Sequence, residues 1–303
     1  MDGKVSNFQQ AASLRRYTLT SGREHGLEVI DCDNGTIRFL LNVGKALDMM
    51  QLYHKGQNIS FISKNGFSAR EAPFLNRFEG GMIYTCGLDN IGGERNGLPV
   101  HGSYHNTAAE IVLTQCDEQG IVVEAVIRNT ALFGSNLVMR RRITSAIGSD
   151  SVQIEDELTN LGYKDERYCL LYHTNIGYPM LDEGVSVHLD AKECRPRTEW
   201  SARNMDTRLL MEQPVDANEE TCYFMTLNKP EVRVVNPKLG KTLSLTYSQD
   251  TLPCFVEWKS MASGDYALGL EPCTTELDDT FAYRILPKQE SITFSLCLSV
   301  TDL

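Results

Sequence analysis

Residues 291–301 read SITFSLCLSVT, and this segment decides the fold class. Its apolar side chains alternate with Ser, Thr and Cys; they are Ile292, Phe294, Leu296, Leu298 and Val300. A period of two is what a β-strand with one buried face requires, because successive side chains point to opposite faces of a sheet. The segment therefore predicts a strand that covers a hydrophobic core on one side only.

The same alternation recurs elsewhere, with turn signals between the segments. Residues 152–157 and 242–247 alternate in this way, while residues 33–35 (Asp-Asn-Gly) and 117–120 separate pairs of apolar segments. Asn, Asp and Gly accept the positive φ of a tight reversal, so these links predict hairpins. Helical periodicity is confined to residues 8–15. The chain is thus expected to be all-β, a large antiparallel β-sandwich.

The domain organisation follows from length and composition. The chain has 303 residues, 42% of them hydrophobic, without an internal repeat or a Gly/Ser linker. Large sandwiches can reach this length as one unit, so we expect a single domain over residues 1–303, in which residues 1–20 are an N-terminal extension with a short helix. Residues 191–220 are the most polar stretch and are expected to form a long loop over one face, where such loops often cover binding sites.

The charge distribution excludes nucleic acid as a partner. The formal net charge is -11, and the longest basic run is the three arginines at 140–142. Nucleic-acid binding requires a clustered positive surface, which this composition does not offer. The arginines lie in an alternating stretch, residues 137–146, where neighbours face opposite ways. One arginine is therefore expected to turn inward and to meet a carboxylate.

The cysteines and the N-terminus indicate a reducing, cytoplasmic setting. Nine cysteines are scattered without a Cys-x-x-Cys pair, so neither a disulfide framework nor a zinc knuckle is expected. The first residues contain no apolar run of the signal-peptide type, and no segment reaches the roughly 20 apolar residues that span a membrane. The cysteines are expected to act as small buried hydrophobic residues.

Three short segments place His, Asn, Tyr or Glu where a plain strand pattern would alternate: LPVHGSYHNTAAE at 98–110, LLYHTNIGYPMLDEG at 170–184 and YALGLEPCTT at 266–275. His173 follows an apolar run, and Asn175 faces the same side two residues later. Gly177 and Tyr178 come next; glycine allows close approach to the backbone, and tyrosine offers a stacking face and a hydroxyl. The alternative is a hydrogen-bonded core histidine.

Glu271 ends the apolar strand at residues 266–270 and precedes a proline. An ionised carboxylate buried there without partners would cost several kcal/mol. One interpretation is a general base whose pKa burial raises toward the working pH. The other is a strand-end glutamate that turns to solvent.

His101 and His105 lie four residues apart, and Glu110 follows, so a metal site has to be considered. A zinc-binding pair at this spacing requires a helix, which Pro99 and Gly102 disfavour. No metal site is therefore expected. The functional interpretation is a turn that presents the His101 imidazole to a cleft, with glycine leaving room for a ligand.

Five segments between residues 21 and 275 resemble, in order, a family of bacterial aldose 1-epimerase-like proteins catalogued mainly as a domain of unknown function. The segments are SGREHGLEVIDCDNGTIRFLLNVGKALDM, FEGGMIYTCGLDNIG, GLPVHGSYHNTAAE, LLYHTNIGYPMLDEG and LPCFVEWKSMASGDYALGLEPCT. The family belongs to the galactose mutarotase-like superfamily. The resemblance implies a large antiparallel β-sandwich (a supersandwich) with a sugar cleft across one face.

The resemblance also implies roles for individual residues. His173, in HTN, is similar to the catalytic acid that protonates the ring oxygen, and Glu271, in GLEPCT, to the base at the anomeric hydroxyl. His101, in VHG, resembles a substrate-binding histidine, and Arg77, in FLNRFEGG, an arginine that contacts sugar hydroxyls. The chain departs from mutarotases after the HT pair, where Asn-Ile-Gly-Tyr replaces Tyr-Phe. Their substrate-binding aspartate has no equivalent, since Asp182 is only near it in sequence.

Further residues are candidates for holding the sugar. Asn106, Asn175, Tyr178 and Trp258 could bind hydroxyls or stack on the ring, or could equally be core aromatics and strand-end caps. Lys259 would pair with an acidic or phosphorylated sugar, unless it is a surface charge.

The expected function is the interconversion of sugar anomers. A base takes the anomeric proton, an acid protonates the ring oxygen, and the ring opens and recloses, which needs no metal or redox cofactor but an acid and a base on opposite sides of the sugar. The expected partner is a small-molecule sugar or sugar derivative, with neither nucleic acid nor a membrane; a homodimer is left open. The alternatives are a non-catalytic sugar-binding or sensing protein, and an epimerase or isomerase of a keto sugar or sugar acid on the same fold.

Overall fold

A computed structural model describes residues 3–70 and 72–303, and within them two antiparallel sheets dominate. The smaller sheet has the strand order β1-β2-β3-β4-β5. Its strands are β1 (Ser13–Thr18), β2 (Glu28–Asp33), β3 (Ile37–Asn42), β4 (Asp48–His54) and β5 (Gln57–Asn58). Each strand follows its neighbour in the chain, so this sheet is a simple meander.

The larger sheet has thirteen strands in the described residues. They are β6 (Ile83–Leu88), β7 (Ala109–Asp117), β8 (Gly120–Thr130), β9 (Asn136–Ser145), β10 (Ser151–Asn160), β11 (Glu166–Ile176), β12 (Ser186–Pro196), β13 (Thr221–Asn236), β14 (Lys241–Tyr247), β15 (Cys254–Ala262), β16 (Asp265–Cys273), β17 (Arg284–Leu286) and β18 (Ser291–Asp302). The order is β17-β11-β16-β15-β13-β14-β18-β10-β9-β8-β7, while β12 pairs with β13 and β6 with β11. The sequence-distant strands β11 and β16 are therefore neighbours.

The predicted all-β antiparallel sandwich is confirmed. Strand β18 lies between β14 and β10 and buries Phe294, Leu296, Leu298 and Val300, as its alternation requires. The hairpin at 33–35 is present: Gly35 has a φ of 92°, and its amide donates to the Asp33 carboxylate at 2.8 Å. The single-domain organisation stays a prediction.

Helical structure is sparse in the described residues, and two expectations about irregular segments need correction. The helices are α1 (Phe74–Arg77), α2 (Glu199–Arg203) and the 3-10 turns Phe8–Gln10, Gly22–Glu24, Tyr104–Asn106 and Met205–Thr207. The helix expected at residues 8–15 is one 3-10 turn, because from Ser13 onward the chain pairs with β2. The loop expected at 191–220 begins as strand β12, which pairs with β13 as far as Pro196.

The expectation of an inward arginine is confirmed at Arg141. Its guanidinium, 1% exposed, forms two hydrogen bonds to Asp156, at 2.8 and 2.7 Å, and one to Asp48 at 2.6 Å. Asp48 belongs to the smaller sheet, so this network joins the two sheets. Bidentate pairing of this kind compensates the desolvation of buried charges.

The site is positioned by one face of the larger sheet. The ladders β6–β11, β11–β16, β16–β15 and β15–β13 bring five strands side by side. Their face away from the main core carries a second apolar cluster, which includes Tyr84, Cys86, Leu171, Phe224 and Val256. In the described part of the chain, no helix has both the length and the apolar character needed to cross a membrane.

Candidate active site

A cavity of about 1080 Å³ opens on this face of the larger sheet. The sheet supplies its floor, whereas the segment around α1 and the residues near Gly92 and His101 form walls. Aromatic side chains line much of it: Phe61, Phe74, Phe78, Phe224 and Trp258. A concave, largely apolar site with a few convergent polar groups is typical of a small-molecule site.

The floor of the cavity holds His173 and Glu271 in direct contact. Strands β11 and β16 pair Leu171 with Cys273 and Thr174 with Leu270, so the register places His173 opposite Glu271. The distance from His173 Nε2 to Glu271 Oε1 is 3.3 Å. The two groups are cross-strand neighbours in contact, whereas an acid and a base on opposite sides of a sugar were expected.

Gly269 makes room for this pair. It lies two residues before Glu271 on the same face of β16, opposite Trp258 of β15. A Cβ at Gly269 would lie 2.5 Å from Glu271 Oε1, 3.0 Å from His173 Cε1 and 3.2 Å from Trp258 Cε3. A strand interior disfavours glycine, so its presence here reflects close packing of the site residues over the backbone.

Burial perturbs both members of the pair in the direction of the uncharged form. Burial holds the pKa of His173 well below its usual value, and burial, with the Glu220 charge, raises the pKa of Glu271 well above its own. His173 Nδ1 and Glu271 Oε1 are buried without a hydrogen-bond partner. Other buried side chains of the described residues, such as Glu257 and Tyr104, also have atoms without hydrogen-bond partners, but His173 and Glu271 line the cavity, where a ligand can reach them.

His101 reaches the cavity from a turn in a left-handed backbone conformation, with a φ of 61°. Its amide donates to Gly92 O at 2.8 Å, and its carbonyl accepts from Gly87 N at 3.1 Å, which holds this strained residue in place. The Gly92 amide also donates to His101 Nδ1 at 3.4 Å. Because Nδ1 acts as an acceptor, the proton of the neutral ring is assigned to Nε2. Burial lowers the pKa of His101 to about 4, which keeps the ring neutral at pH 7.

Three further residues form a polar network on the cavity wall. Glu220 accepts hydrogen bonds from Arg197 through Oε1 and from Trp258 Nε1 through Oε2, the latter at 2.6 Å. All three side chains line the cavity. Sequence reasoning missed Arg197 and Glu220, although both flank regular elements inside the polar stretch at 191–220, which was expected to cover a site.

The comparison with known families decides the classification. The profile of a family described as a domain of unknown function, DUF4432, matches residues 24–284, which is most of the chain. The chain belongs to the DUF4432 family. A search of curated proteins gave no match.

Solved structures show that this DUF4432 protein has the galactose mutarotase-like fold. A Klebsiella pneumoniae protein named "putative aldose 1-epimerase" is 18% identical, with a TM-score of 0.87 over 97% of this chain and 86% of its own. A galactose mutarotase-like protein from Clostridium acetobutylicum is 14% identical, with a TM-score of 0.72 over 97% of this chain and 100% of its own. At such identities the likeness establishes the fold alone.

The remaining residues that the sequence singled out in this DUF4432 protein do not line the cavity. Asn106 accepts a hydrogen bond from Lys45 Nζ at 2.6 Å, and the Tyr178 side chain is 71% exposed. Arg77, at the end of α1, is absent from the lining although both its chain neighbours belong to it. Asn175 is buried and donates to the His173 carbonyl at 2.9 Å, so it supports the strand instead of contacting the cavity. A direct role in holding hydroxyls is not supported by these placements.

Two glycines thought to leave room for a ligand pack against protein instead. A Cβ at Gly177 would lie 2.6 Å from Phe61 Cα, and one at Gly102 would lie 2.4 Å from Asn90 O. Both positions therefore serve close packing of the chain against itself.

The second histidine of the 98–110 segment lies in the interior. His105 Nδ1 contacts Asp48 at 2.6 Å, and Nε2 lies 3.4 Å from Glu79. Burial acts to lower the pKa of His105, but the hydrogen bond to Asp48 and the nearby carboxyl group of Glu79 outweigh it and raise the pKa. In residues 3–70 and 72–303, no three His, Cys, Asp or Glu side chains converge at metal-binding distances.

Proposed function

We propose that this DUF4432 protein interconverts the anomers of a sugar by acid/base catalysis at His173 and Glu271. The observation that carries the proposal is the buried imidazole–carboxyl pair, with its 3.3 Å contact and its unpaired atoms, on the floor of a cavity. The galactose mutarotase-like fold and the names of the structural relatives support the same reaction class.

The contact between the two groups suits this chemistry. Ring opening requires a proton to leave the anomeric hydroxyl and another to reach the ring oxygen, and both oxygens are bonded to the same carbon. An acid and a base that are neighbours can therefore serve both oxygens at once. Proton transfer by a positioned group contributes roughly 10²–10⁴-fold each.

The total number of protons on His173 and Glu271 does not change during the reaction. The uncharged pair, with the proton on Glu271 and a neutral His173, contains as many protons as the ion pair with the proton on His173. In the ion pair, Glu271 accepts the anomeric proton while His173 donates to the ring oxygen, the ring C–O bond breaks and the C1 carbonyl forms. Rotation about C1–C2 and reversal of both transfers give the other anomer. Such a coupled pair titrates as one unit.

The walls of the cavity supply binding groups for a sugar. Neutral His101 directs its Nε2–H as a hydrogen-bond donor, which neither changes charge near pH 7 nor competes for the catalytic proton. Trp258 and Phe78 have ring centroids 5.5 Å from that of His173, so an apolar sugar face would stack beside the reacting carbon.

The test is the rate of exchange between anomers, measured by NMR on a panel of aldoses. We expect faster exchange than in buffer for at least one aldose, and a loss of two or more orders of magnitude in Glu271→Gln and His173→Asn, since each removes one transfer group. Glu257→Gln is the matched control, because Glu257 is a buried glutamate on the adjacent strand that faces away from the cavity.

Two outcomes would contradict the proposal. If no aldose exchanges faster than in buffer, the reaction is not mutarotation. If the protein binds a sugar with unchanged affinity in Glu271→Gln but never accelerates exchange, the cavity belongs to a sugar-binding protein without turnover.

A further inference from the structure

The charged side chains around the cavity are already paired with one another. Among the described residues, the cavity is lined by one lysine, Lys64, and one arginine, Arg197. Each contacts a carboxylate that also lines the cavity. Lys64 Nζ lies 2.7 Å from Asp265, and Arg197 is bonded to Glu220. With Glu271 on the floor, carboxyl groups outnumber these cations around the cavity.

Glu220 links Arg197 to Trp258 on the cavity wall. Glu220 uses one oxygen for Arg197 and the other for the Trp258 indole, so both oxygens have partners inside the cavity. Arg197 would otherwise be suited to an anionic ligand, because a guanidinium matches carboxylate and phosphate geometry. Glu220 accepts one N–H of Arg197 and compensates its positive charge.

Lys259 does not provide an alternative anion site, although it follows Trp258 in the sequence. Its Nζ donates to the carbonyls of Thr207 and Leu210, both at 3.2 Å, and the side chain is 4% exposed. It therefore lies on the opposite face of β15 from the cavity. The sequence-based idea that Lys259 pairs with an acidic or phosphorylated sugar is not supported by this placement.

We propose that the cavity selects uncharged sugars, and that Glu220 enforces this choice by neutralising Arg197. An anionic substituent placed beside Glu220 would lose water without gaining a free cation, and it would meet like charge. An uncharged sugar meets hydrogen-bonding groups and aromatic walls instead. This inference rests on the proposed function only in taking the ligand to be a sugar.

The experiment compares binding of neutral and anionic forms of one sugar by calorimetry, using glucose and galactose with their uronates and 6-phosphates. The wild type should bind the neutral form more tightly by about tenfold or more, which corresponds to one charge-assisted hydrogen bond. Glu220→Gln frees Arg197 yet keeps an acceptor for Trp258, so it should reduce this preference by roughly tenfold. Adding Arg197→Gln to Glu220→Gln should abolish the gained anion binding.

Glu124→Gln is the matched control for the change in net charge. Glu124 pairs with Arg140 and Arg142, is 7% exposed and does not line the cavity. This variant should leave the preference between neutral and anionic sugars unchanged. If it shifts the preference as Glu220→Gln does, overall charge and not Glu220 sets the specificity, and the proposal fails.

Inorganic phosphate is the probe that does not depend on the identity of the sugar. Glu220→Gln should gain saturable phosphate binding that the wild type and the double variant lack. Tight binding of phosphate or of an anionic sugar by the wild type would overturn the proposal, as would the absence of any gain in Glu220→Gln. Neutral sugar binding without anomer exchange would instead refute mutarotation and leave the selectivity intact.

Discussion

Substituting Gly269 by alanine tests whether the geometry of the His173–Glu271 pair matters. The added methyl group would lie 2.5 Å from Glu271 Oε1, closer than ordinary contacts, which begin at 3.4 Å. Of the three nearest atoms, Glu271 Oε1 is at the end of a flexible side chain, whereas Trp258 Cε3 belongs to a rigid ring. We therefore expect the Glu271 carboxyl to move and the strand to stay.

The size of the effect follows from this displacement. Glu271 Oε1 must retreat by about 0.9 Å to reach ordinary contact distance from the new methyl group. A misplacement of about 1 Å at a catalytic group costs roughly 10²-fold in rate. Overpacking a filled site typically costs ~1–3 kcal/mol of stability. Because the Glu271 side chain can move away, we expect Gly269→Ala to lose an amount near the lower end of this range.

The assay has two parts, anomer exchange by NMR and unfolding in urea. Gly44→Ala is the control, since its Cβ would meet Asn42 Oδ1 at an ordinary 3.5 Å and Gly44 does not line the cavity. We expect Gly269→Ala to stay folded with exchange reduced by about two orders of magnitude, and Gly44→Ala to keep the wild-type rate. Wild-type exchange in folded Gly269→Ala would show that the tight packing of the pair is irrelevant to the reaction.

Two predictions concern stability. Arg141→Met leaves the buried carboxylates of Asp48 and Asp156 without their cation, and should lower the free energy of unfolding in urea by ~3–5 kcal/mol; a loss below ~1 kcal/mol would contradict the structural role of the network. Burial, opposed by Arg208 and Lys259, raises the pKa of Glu257 to about 7. The pKa of this carboxyl group in the unfolded chain is lower, near 4.5. The free energy of unfolding of the wild type should therefore fall by ~3 kcal/mol as the pH rises from 4.5 to 7. Glu257→Gln should lack that component, so an equal pH dependence of unfolding in both proteins would refute it.

The fold was predictable because its determinants are local. Alternation of apolar side chains within one segment indicates a strand with one buried face, and Asn and Gly between two such segments indicate a hairpin. The inward Arg141 was predictable for the same reason, since a run of three arginines in a strand must place at least one on the inner face. The short helix at 8–15 was overestimated, because pairing of Ser13–Thr18 with β2 is a tertiary contact that local pattern does not contain.

The site was only partly predictable, because it depends on strand register. His101, His173, Glu271 and Trp258 were singled out as candidates, and all line one cavity. That His173 and Glu271 touch follows from the β11–β16 pairing of strands about a hundred residues apart. No local pattern in the sequence reveals that register, because it depends on packing between distant segments.

Two of the buried ionisable clusters in the described residues, the network around Arg141 and the His173–Glu271 pair, differ in their hydrogen bonding. Around Arg141, donors and acceptors meet at 2.6–3.0 Å, which compensates desolvation and joins the two sheets. His173 and Glu271 are as deeply buried, yet each leaves an atom without a hydrogen bond. An unpaired buried polar atom costs ~1–3 kcal/mol, and the fold carries this cost in two cross-strand neighbours on the cavity floor, whereas the Arg141 guanidinium is paired through all three of its nitrogen atoms. Because hydroxyl groups of a ligand would supply partners for these atoms, binding should recover part of that free energy, and the unpaired atoms would thereby favour ligand binding.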